Sequence, residues 1–163
     1  MTDKEDTTHM GAPQHVFQVY IRATPERLWQ AITDPAMTQI YYFNSRIESD
    51  FNVGSPLQYK QPDGSLDIDG EVLESDPPRK LVQTWRMLMD PTMEAEGFTR
   101  LTHEIEALDG GVTKLTVIHE LDGAPTLASM VAGESESSGA GGGWAWVLSD
   151  LKTVLESGSA MAS

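Results

Sequence analysis

Two histidines, His103 and His119, are the residues of this chain with the clearest capacity for chemistry. Both lie in one stretch, "THEIEALDGGVTKLTVIHE", on either side of a "DGG" turn signal. An imidazole titrates near neutral pH, donates and accepts hydrogen bonds, and often serves as a general acid or base. What these two can do together depends on how the residues around the turn pair.

A three-residue turn at residues 109–111, with a glycine in a left-handed conformation, gives the better pairing. It places opposite charges and apolar residues across from each other: Arg100 with Glu120, Glu106 with Lys114, and Ile105 with Leu115. A two-residue turn would instead place Ile105 opposite Lys114. Because favourable cross-strand pairs stabilise a hairpin, we predict the three-residue register.

In this register, one face of the hairpin is apolar except for the two imidazoles: Leu101, His103, Ile105, Leu115, Val117 and His119. We expect this face to be the buried, concave one, with the imidazoles as diagonal neighbours about 7–8 Å apart. Three roles are open. They are core histidines hydrogen-bonded to a hydroxyl or backbone group, recognition of a ligand carbonyl or hydroxyl, and acid–base catalysis. The catalytic residues, if there are any, stay unassigned.

Composition excludes or disfavours other chemistry. The 163 residues contain no cysteine, which excludes thiolate catalysis and cysteine-ligated metals. Two imidazoles without a third ligand make a weak metal site, and the sequence has no nucleophile elbow or phosphate loop, so we expect no metal and no cofactor. The net charge of −14 disfavours nucleic acid as the main partner, because phosphates would be repelled.

Length and hydropathy place further bounds on the protein. A chain of 163 residues suits one domain, which we place at residues 15–158 between flexible tails at 1–14 and 159–163. No apolar run approaches the roughly 18–20 residues that cross a bilayer, so we expect no membrane insertion. The absence of cysteine fits a reducing cytoplasm. The sequence leaves the oligomeric state open and slightly favours a monomer.

The elements that would position the histidines begin with a strand and two short helices. Residues 15–23 alternate between polar and apolar, as in a half-buried strand. Thr24 and Asp34 are good N-caps, and each precedes a proline that suits the first helical position. The residues of the second helix that we expect to pack are Met37, Ile40 and Tyr41.

Six further strand signals follow, separated by turn chemistry that includes "PDGS", "DPTMEAEG" and "DGG". Their predicted bounds are 46–51, 56–61, 66–75, 80–88, 99–108 and 112–121. Strands linked in this way indicate an antiparallel meander. Tyr59 is expected to line the sheet and Trp85 to be buried, although the alternation alone does not decide which face of strand 80–88 points inward.

The chain closes with a long loop and a regular helix. Residues 122–143 are acidic and rich in glycine and serine, with one helical stretch predicted at 126–132, and a connection of this length suits a lid or binding loop. From Trp144 the apolar positions recur at helical spacing, and Gly158 is a plausible C-cap. Trp146 lies off this stripe, where it could pack on the loop or line a cavity mouth.

Four motifs resemble the START-like, birch-pollen-allergen-like superfamily, also called SRPBCC, and its branch of heat-shock-protein ATPase activator homologues. They are "VYIRATPERLWQAITDP", "GEVLESDPPRKLVQTWR", "GGVTKLTVIHE" and "GGGWAWVLSDLKTVLE". The resemblance covers nearly the whole chain. It departs at Ala145, where the family often has proline. The resemblance implies an α+β helix-grip fold, in which a curved seven-stranded antiparallel sheet wraps around the long C-terminal helix and leaves a cavity.

The resemblance also implies small apolar, lipid-like or polyketide-like ligands, but not one activity. Our first hypothesis is a non-catalytic binding protein for such a ligand, with natural-product handling or self-resistance as a variant. The alternatives are a cyclase-like enzyme using His103 or His119, and a chaperone partner. The residues that we expect at the ligand site are His103, His119, Trp85, Tyr59, Trp144, Trp146, Val117 and Leu101.

Overall fold

The computed structural model describes residues 14–134 and 142–161 of the chain. The strands are β1 (Gln14–Ile21), β2 (Arg46–Ser49), β3 (Pro56–Lys60), β4 (Leu66–Asp76), β5 (Lys80–Met87), β6 (Thr99–Ala107) and β7 (Thr113–Glu120). The α-helices are α1 (Pro25–Thr33), α2 (Pro35–Tyr41), α3 (Pro91–Glu96), α4 (Pro125–Val131) and α5 (Gly143–Ser157). The predicted tail at 1–14 lies almost wholly outside the described residues, and the domain bounds stay a prediction.

The seven strands form one antiparallel sheet in the order β1-β7-β6-β5-β4-β3-β2. The sheet curves around the C-terminal helix α5, with two short helices after the first strand, so the predicted α+β helix-grip fold is confirmed. Sequential strands are neighbours except at β1, which pairs with β7. This connection brings the first and last strands together beside α5.

The predicted register of the β6–β7 hairpin is also confirmed. Leu101 lies opposite His119, and His103 opposite Val117. The two predicted ion pairs form on the outer face: Arg100 with Glu120 and Glu106 with Lys114, each at 3.4 Å. Gly110, in the turn, has φ of 78°, a conformation that favours glycine.

Helices α1 and α2 begin as predicted, but the packing of α2 corrects one expectation. The side chains of Thr24 and Asp34 accept hydrogen bonds from Arg27 N and Ala36 N, respectively. The structure buries Thr38 and Tyr41 of α2 and leaves Ile40 47% exposed. Thr38 faces inward because its Oγ1 accepts the hydrogen bond of the buried Ile47 N at 3.0 Å, which an isoleucine could not do.

A second correction concerns "DPTMEAEG", which was read as a turn and contains helix α3. Asp90 Oδ1 accepts hydrogen bonds from Thr92 N and Met93 N, and Pro91 occupies the first turn. The start signal is therefore the same Asp-Pro pair that opens α2. The single apolar residue that α3 buries, Met93, was too weak a pattern to indicate a helix.

The inward face of β5 is now defined. Leu81, Gln83, Trp85 and Met87 point toward α5 and the core. Arg86 points away and forms a bidentate pair with Asp69, at 3.0 and 2.8 Å. In the ladder between β4 and β5, a Cβ on Gly70 would lie 1.8 Å from Thr84 O. Only glycine therefore allows β4 and β5 to approach so closely.

Helix α5 packs along the concave face of the sheet. As predicted, Trp144, Leu148, Leu151 and Leu155 are buried, and Gly158 ends the helix with φ of 89°. At the start of the helix, a Cβ on Gly143 would lie 2.2 Å from Val131 O. Glycine at this position thus allows the α5 N-terminus to lie directly against α4.

Candidate functional site

A cavity of about 310 Å³ lies between β4, β5, α3, α4 and the first turns of α5. Its aromatic lining residues are Tyr42, Phe43, Trp85 and Trp144, and its methionines are Met87, Met89, Met93 and Met130. Phe43 and Met89 are 48% and 65% exposed, so they mark the opening. Aromatic and thioether side chains present an apolar surface that adapts to different shapes.

The polar lining is small and includes one buried carboxylate. Asp67 is 6% exposed and accepts a hydrogen bond from Gln61 Nε2, which also donates to Phe43 O. In the β3–β4 ladder, Tyr59 pairs with Ile68 and the next residue, Lys60, pairs with Leu66. Asp67 is thus the extra residue of a β-bulge, and the bulge directs its side chain into the cavity.

A directed chain of hydrogen bonds lies beneath this cavity and fixes the tautomer of His119. Trp144 Nε1 can only donate, so at 3.1 Å it donates to His119 Nδ1, which must be unprotonated. The proton of the neutral ring is then on Nε2, which donates to Thr99 Oγ1 at 2.8 Å. Thr99 Oγ1 in turn donates to Trp85 O at 2.8 Å. Both ring nitrogens of His119 are therefore engaged.

The environment of His119 also disfavours its charged form. Burial lowers the pKa of His119 to about 3, and the nearby His15 and His103 rings add smaller effects in the same direction. Protonation of Nδ1 would both bury a charge and break the hydrogen bond from Trp144. His119 is thus a neutral group that links α5 to the sheet.

His103 is neutral as well, but it is not fully hydrogen-bonded. Burial lowers the pKa of His103 to about 4, and its Nδ1 has no hydrogen-bond partner among the described residues. The ring lies edge-on to Trp144, with centroids 6.3 Å apart. It lines a gap of only about 10 Å³, together with Tyr59 and the helix residues Val147, Leu148 and Leu151.

Other buried polar atoms near the cavity lack partners among the described residues. They are both the amide nitrogen and oxygen of Gln83, and Trp85 Nε1, which interacts with the Tyr42 hydroxyl but forms no well-aligned hydrogen bond. Gln83 is fully buried on the inward face of β5, two residues before Trp85. A buried polar group without a hydrogen bond destabilises the folded protein, so a water molecule or a polar ligand atom beside these groups would be stabilising.

Stacked tyrosines form the wall between the two spaces. The rings of Tyr42 and Tyr59 stack with centroids 4.6 Å apart, and Tyr42 lies edge-on to Trp144 at 6.0 Å. Burial raises the pKa of both phenols, which therefore stay neutral. Tyr42 lines both spaces, as do Trp144 and Val147, so these three residues lie between the cavity and the gap that His103 lines.

The residues predicted for the ligand site fall into separate groups. Trp85 and Trp144 line the cavity. His103 and Tyr59 line the small gap, which Trp144 shares. The remaining four line neither space: His119, Val117 and Leu101 are buried, whereas Trp146 is 38% exposed. A ligand-binding role for these residues stays a prediction.

Sequence reasoning missed several residues that line the cavity, including Tyr42, Phe43, Asp67 and Met89. The aromatic pair in "IYYF" was available as a signal, since Tyr42 and Phe43 follow directly after α2. Asp67 gave no usable signal, because a bulge cannot be recognised from alternation alone.

Two searches of residues 14–134 and 142–161, for groups of metal-ligating side chains and for membrane-spanning helices, gave no candidate. These residues bring together no group of three or more histidine, aspartate or glutamate side chains that could hold a metal ion. In the same part of the chain, no helix is long and apolar enough to cross a membrane.

Comparison with solved structures supports the fold. MLL2253 from Mesorhizobium loti is 20% identical, with a TM-score of 0.67 over 88% of this chain and 97% of that chain. An Hsp90 activator from Plasmodium falciparum is 19% identical, with a TM-score of 0.61 over 88% and 96%. DynU16, a protein in the dynemicin biosynthetic locus, is 20% identical, with a TM-score of 0.63 over 90% and 48%.

At these identities the structural likeness shows a shared fold and nothing finer. No curated protein sequence matches the chain significantly. The sequence itself matches one family, described as activator of Hsp90 ATPase homolog 1-like protein, over residues 22–156. Because this match spans most of the chain, from the end of β1 to the end of α5, the chain belongs to the family of activator of Hsp90 ATPase homolog 1-like proteins.

Proposed function

We propose that the protein binds a small hydrophobic or aromatic molecule in the cavity between the curved sheet and α5. The observation that carries the proposal is the cavity itself, which has a volume of about 310 Å³, and half of its lining residues are aromatic or methionine. This volume is at the lower end of the range, about 300–1,000 Å³, in which proteins bind small molecules. Burial of an apolar ligand there would be favoured by the hydrophobic effect.

The polar atoms at the cavity would orient such a ligand. The Trp85 indole lines the cavity, and its buried N–H interacts with the Tyr42 hydroxyl without forming a well-aligned hydrogen bond. A ligand carbonyl or hydroxyl placed beside this N–H would give it a better-aligned acceptor. The ligand would therefore combine an aromatic or aliphatic body with at least one hydrogen-bond acceptor.

Binding is favoured over a cyclase-like activity by the positions of the histidines. A general acid or base must reach the proton that it transfers, directly or through one water molecule. His119 has both ring nitrogens hydrogen-bonded to Thr99 and Trp144, and neither His103 nor His119 lines the cavity. The imidazoles that the enzymatic hypothesis requires are thus withheld from the space where a substrate would lie.

The family description favours a second candidate, an interaction with an Hsp90-type chaperone. The family is described by Hsp90 ATPase activation, and a structural relative from Plasmodium falciparum is an Hsp90 activator. By contrast, DynU16 belongs to a locus for natural-product synthesis, which is the setting that ligand handling or self-resistance would need. Measurement of Hsp90 ATPase activity with and without this protein would test the chaperone candidate separately from ligand binding.

The four tryptophans provide a direct test of ligand binding. Trp85 and Trp144 line the cavity, whereas Trp29 and Trp146 do not. Titration of 2-naphthylmethanol should therefore shift the indole N–H signals of Trp85 and Trp144 in ¹H–¹⁵N NMR spectra and leave the other two in place. Equal shifts of all four, or no shift at saturating probe, would contradict the proposal.

The natural ligand requires a different experiment. Native mass spectrometry of the protein purified from its own host should show an additional mass that organic solvent removes. A matched control is Val147→Phe, which would place a larger side chain into the cavity from α5. If the additional mass persists in this variant, the molecule is bound elsewhere.

A further inference from the structure

We propose that the cavity selects a cationic ligand, one in which an amine or other ammonium group is attached to the apolar body, and that Asp67 recognises this group. The inference rests on the proposed ligand-binding function and specifies its ligand class. It is carried by a buried carboxylate with no cation beside it, in an aromatic cavity whose described lining includes no lysine or arginine.

Asp67 has an oxygen available for a ligand. Its Oδ2 accepts the hydrogen bond from Gln61 Nε2, while its Oδ1 accepts none from the described residues. The bulge between β3 and β4 is what turns this side chain inward, since the flanking pairs, Tyr59 with Ile68 and Lys60 with Leu66, leave residue 67 unpaired. Bulges commonly redirect a side chain in this way beside functional sites.

The arginine nearest in the ladder is committed to another partner. Arg86 forms its bidentate pair with Asp69 on the outer face of the sheet, and its guanidinium lies 4.4 Å from the centroid of the Phe98 ring. Among the described residues, no ion pair within 4.0 Å includes the Asp67 carboxylate. An ammonium group bound at Oδ1 would therefore be the first cationic partner of this carboxylate, held by a charge-assisted hydrogen bond.

The rest of the cavity suits a cation as well. A second carboxylate, Asp90, lies in the lining. Four aromatic residues, Tyr42, Phe43, Trp85 and Trp144, also line the cavity, and an aromatic ring attracts a cation placed over its face within about 6 Å. The net charge of −14 adds a long-range attraction for cations and repels anions. The carboxylates, the aromatic lining and the net charge therefore all favour a positively charged ligand.

The test uses three probes that share one apolar body: 2-naphthylmethylamine, 2-naphthylmethanol and 2-naphthoate. Calorimetric titration at pH 7, where the amine is protonated, should give an affinity about tenfold higher for the amine than for the alcohol, as for a hydrogen bond to a charged group. The anionic 2-naphthoate should bind most weakly.

Two variants isolate the contribution of Asp67. Asp67→Asn keeps an oxygen that can accept from Gln61 and removes the charge, so the preference for the amine should disappear. Asp109→Asn removes the same charge from the exposed β6–β7 turn, outside the cavity lining, and should keep the preference. If Asp67→Asn does not fold, the ranking of the three probes on the wild-type protein still decides whether the cavity prefers a cation, and equal affinities would overturn the inference.

The possible outcomes separate this inference from the function on which it rests. Equal affinity for the amine and the alcohol would overturn the inference and leave the apolar binding site standing. Retention of the preference in Asp67→Asn, or its loss in Asp109→Asn, would also overturn it. Failure of all three probes to bind would overturn the proposed function together with the inference.

Discussion

Replacement of His119 by leucine should destabilise the protein, whereas the same replacement at His103 should not. The two imidazoles lie on the same face of neighbouring strands and are both buried. They differ in their hydrogen bonds. His119 accepts from Trp144 Nε1 and donates to Thr99 Oγ1, whereas His103 Nδ1 has no partner among the described residues.

The size of the difference follows from these bonds. In His119→Leu the Trp144 indole N–H, 3% exposed as a residue, loses its acceptor, and a buried donor without a partner costs about 1–3 kcal/mol. Thr99 Oγ1 loses the hydrogen bond that it accepts from His119 but still donates to Trp85 O at 2.8 Å, so this second contribution to the destabilisation is smaller. In His103→Leu no hydrogen bond of Nδ1 is lost, and an apolar side chain replaces a polar one in a buried position. The free energy of unfolding should therefore stay within about 0.5 kcal/mol of the wild-type value or increase.

Urea unfolding at pH 7, followed by circular dichroism, measures both variants against the wild type. A lower urea midpoint with an unchanged m-value would show that the variant has lost stability. The indole N–H signal of Trp144 gives a local readout, because loss of its acceptor should shift that resonance. In a Trp144→Phe background the donor is absent, and His119→Leu should then cost less by about 1–2 kcal/mol.

Two results would refute this reasoning. Wild-type stability of His119→Leu, within about 0.5 kcal/mol, would show that the hydrogen-bond chain contributes little. Equal losses in the two leucine variants would show that the imidazoles act only through their shape. In either case the assignment of His119 as the link between α5 and the sheet would fail.

Two further predictions concern pH and space. Because burial lowers the pKa of His103 to about 4 and of His119 to about 3, below the ordinary 6.5, the unfolded chain binds more protons at intermediate pH. The free energy of unfolding should therefore be greatest above pH 6.5 and fall toward pH 4, by up to about 1.4 kcal/mol per pH unit for each histidine. Urea titrations at several pH values should give a shallower slope for His103→Leu, because one of the two histidines is then absent. On helix α5, Val147→Phe should change the stability little, because Val147 borders the cavity. Val154→Phe should cost about 1–3 kcal/mol, because Val154 is buried and the larger ring would overpack the core. Equal losses of stability on thermal unfolding would argue against an open cavity beside Val147.

Much of the fold could be predicted because local signals agreed with the global pattern. The register of β6 and β7 followed from charge and apolar pairing around one turn, and the structure has that register. The burial of α5 followed from helical spacing alone. Helix α3 was missed because six residues with one buried methionine give no periodicity, although Asp90 and Pro91 repeat the start signal of α2.

The site was harder to predict than the fold, because the alternation of a strand identifies a face but not a space. Leu101, His103, Val117 and His119 do lie on the concave face, yet none of them lines the larger cavity. The Trp144 side chain explains the difference, since its indole lies edge-on to both imidazoles, with centroids 6.3 and 6.0 Å apart. Nothing in the sequence indicates where one large residue from the C-terminal helix will fill the curve of the sheet.

The division of the concave face gives the two ends of the sheet different roles. Under β6 and β7, Trp144 and the neutral histidines fill the space and hold the helix. Under β4 and β5, the bulge at residue 67 and the close approach at Gly70 change the course of the ladder, and the space beside Trp85 stays open. Because the first end holds α5 by hydrogen bonds and burial, the second can keep an unfilled cavity and a carboxylate without a neighbouring cation. Ligand selectivity should therefore depend on Asp67 and the aromatic lining, and stability on the hydrogen-bond chain through His119.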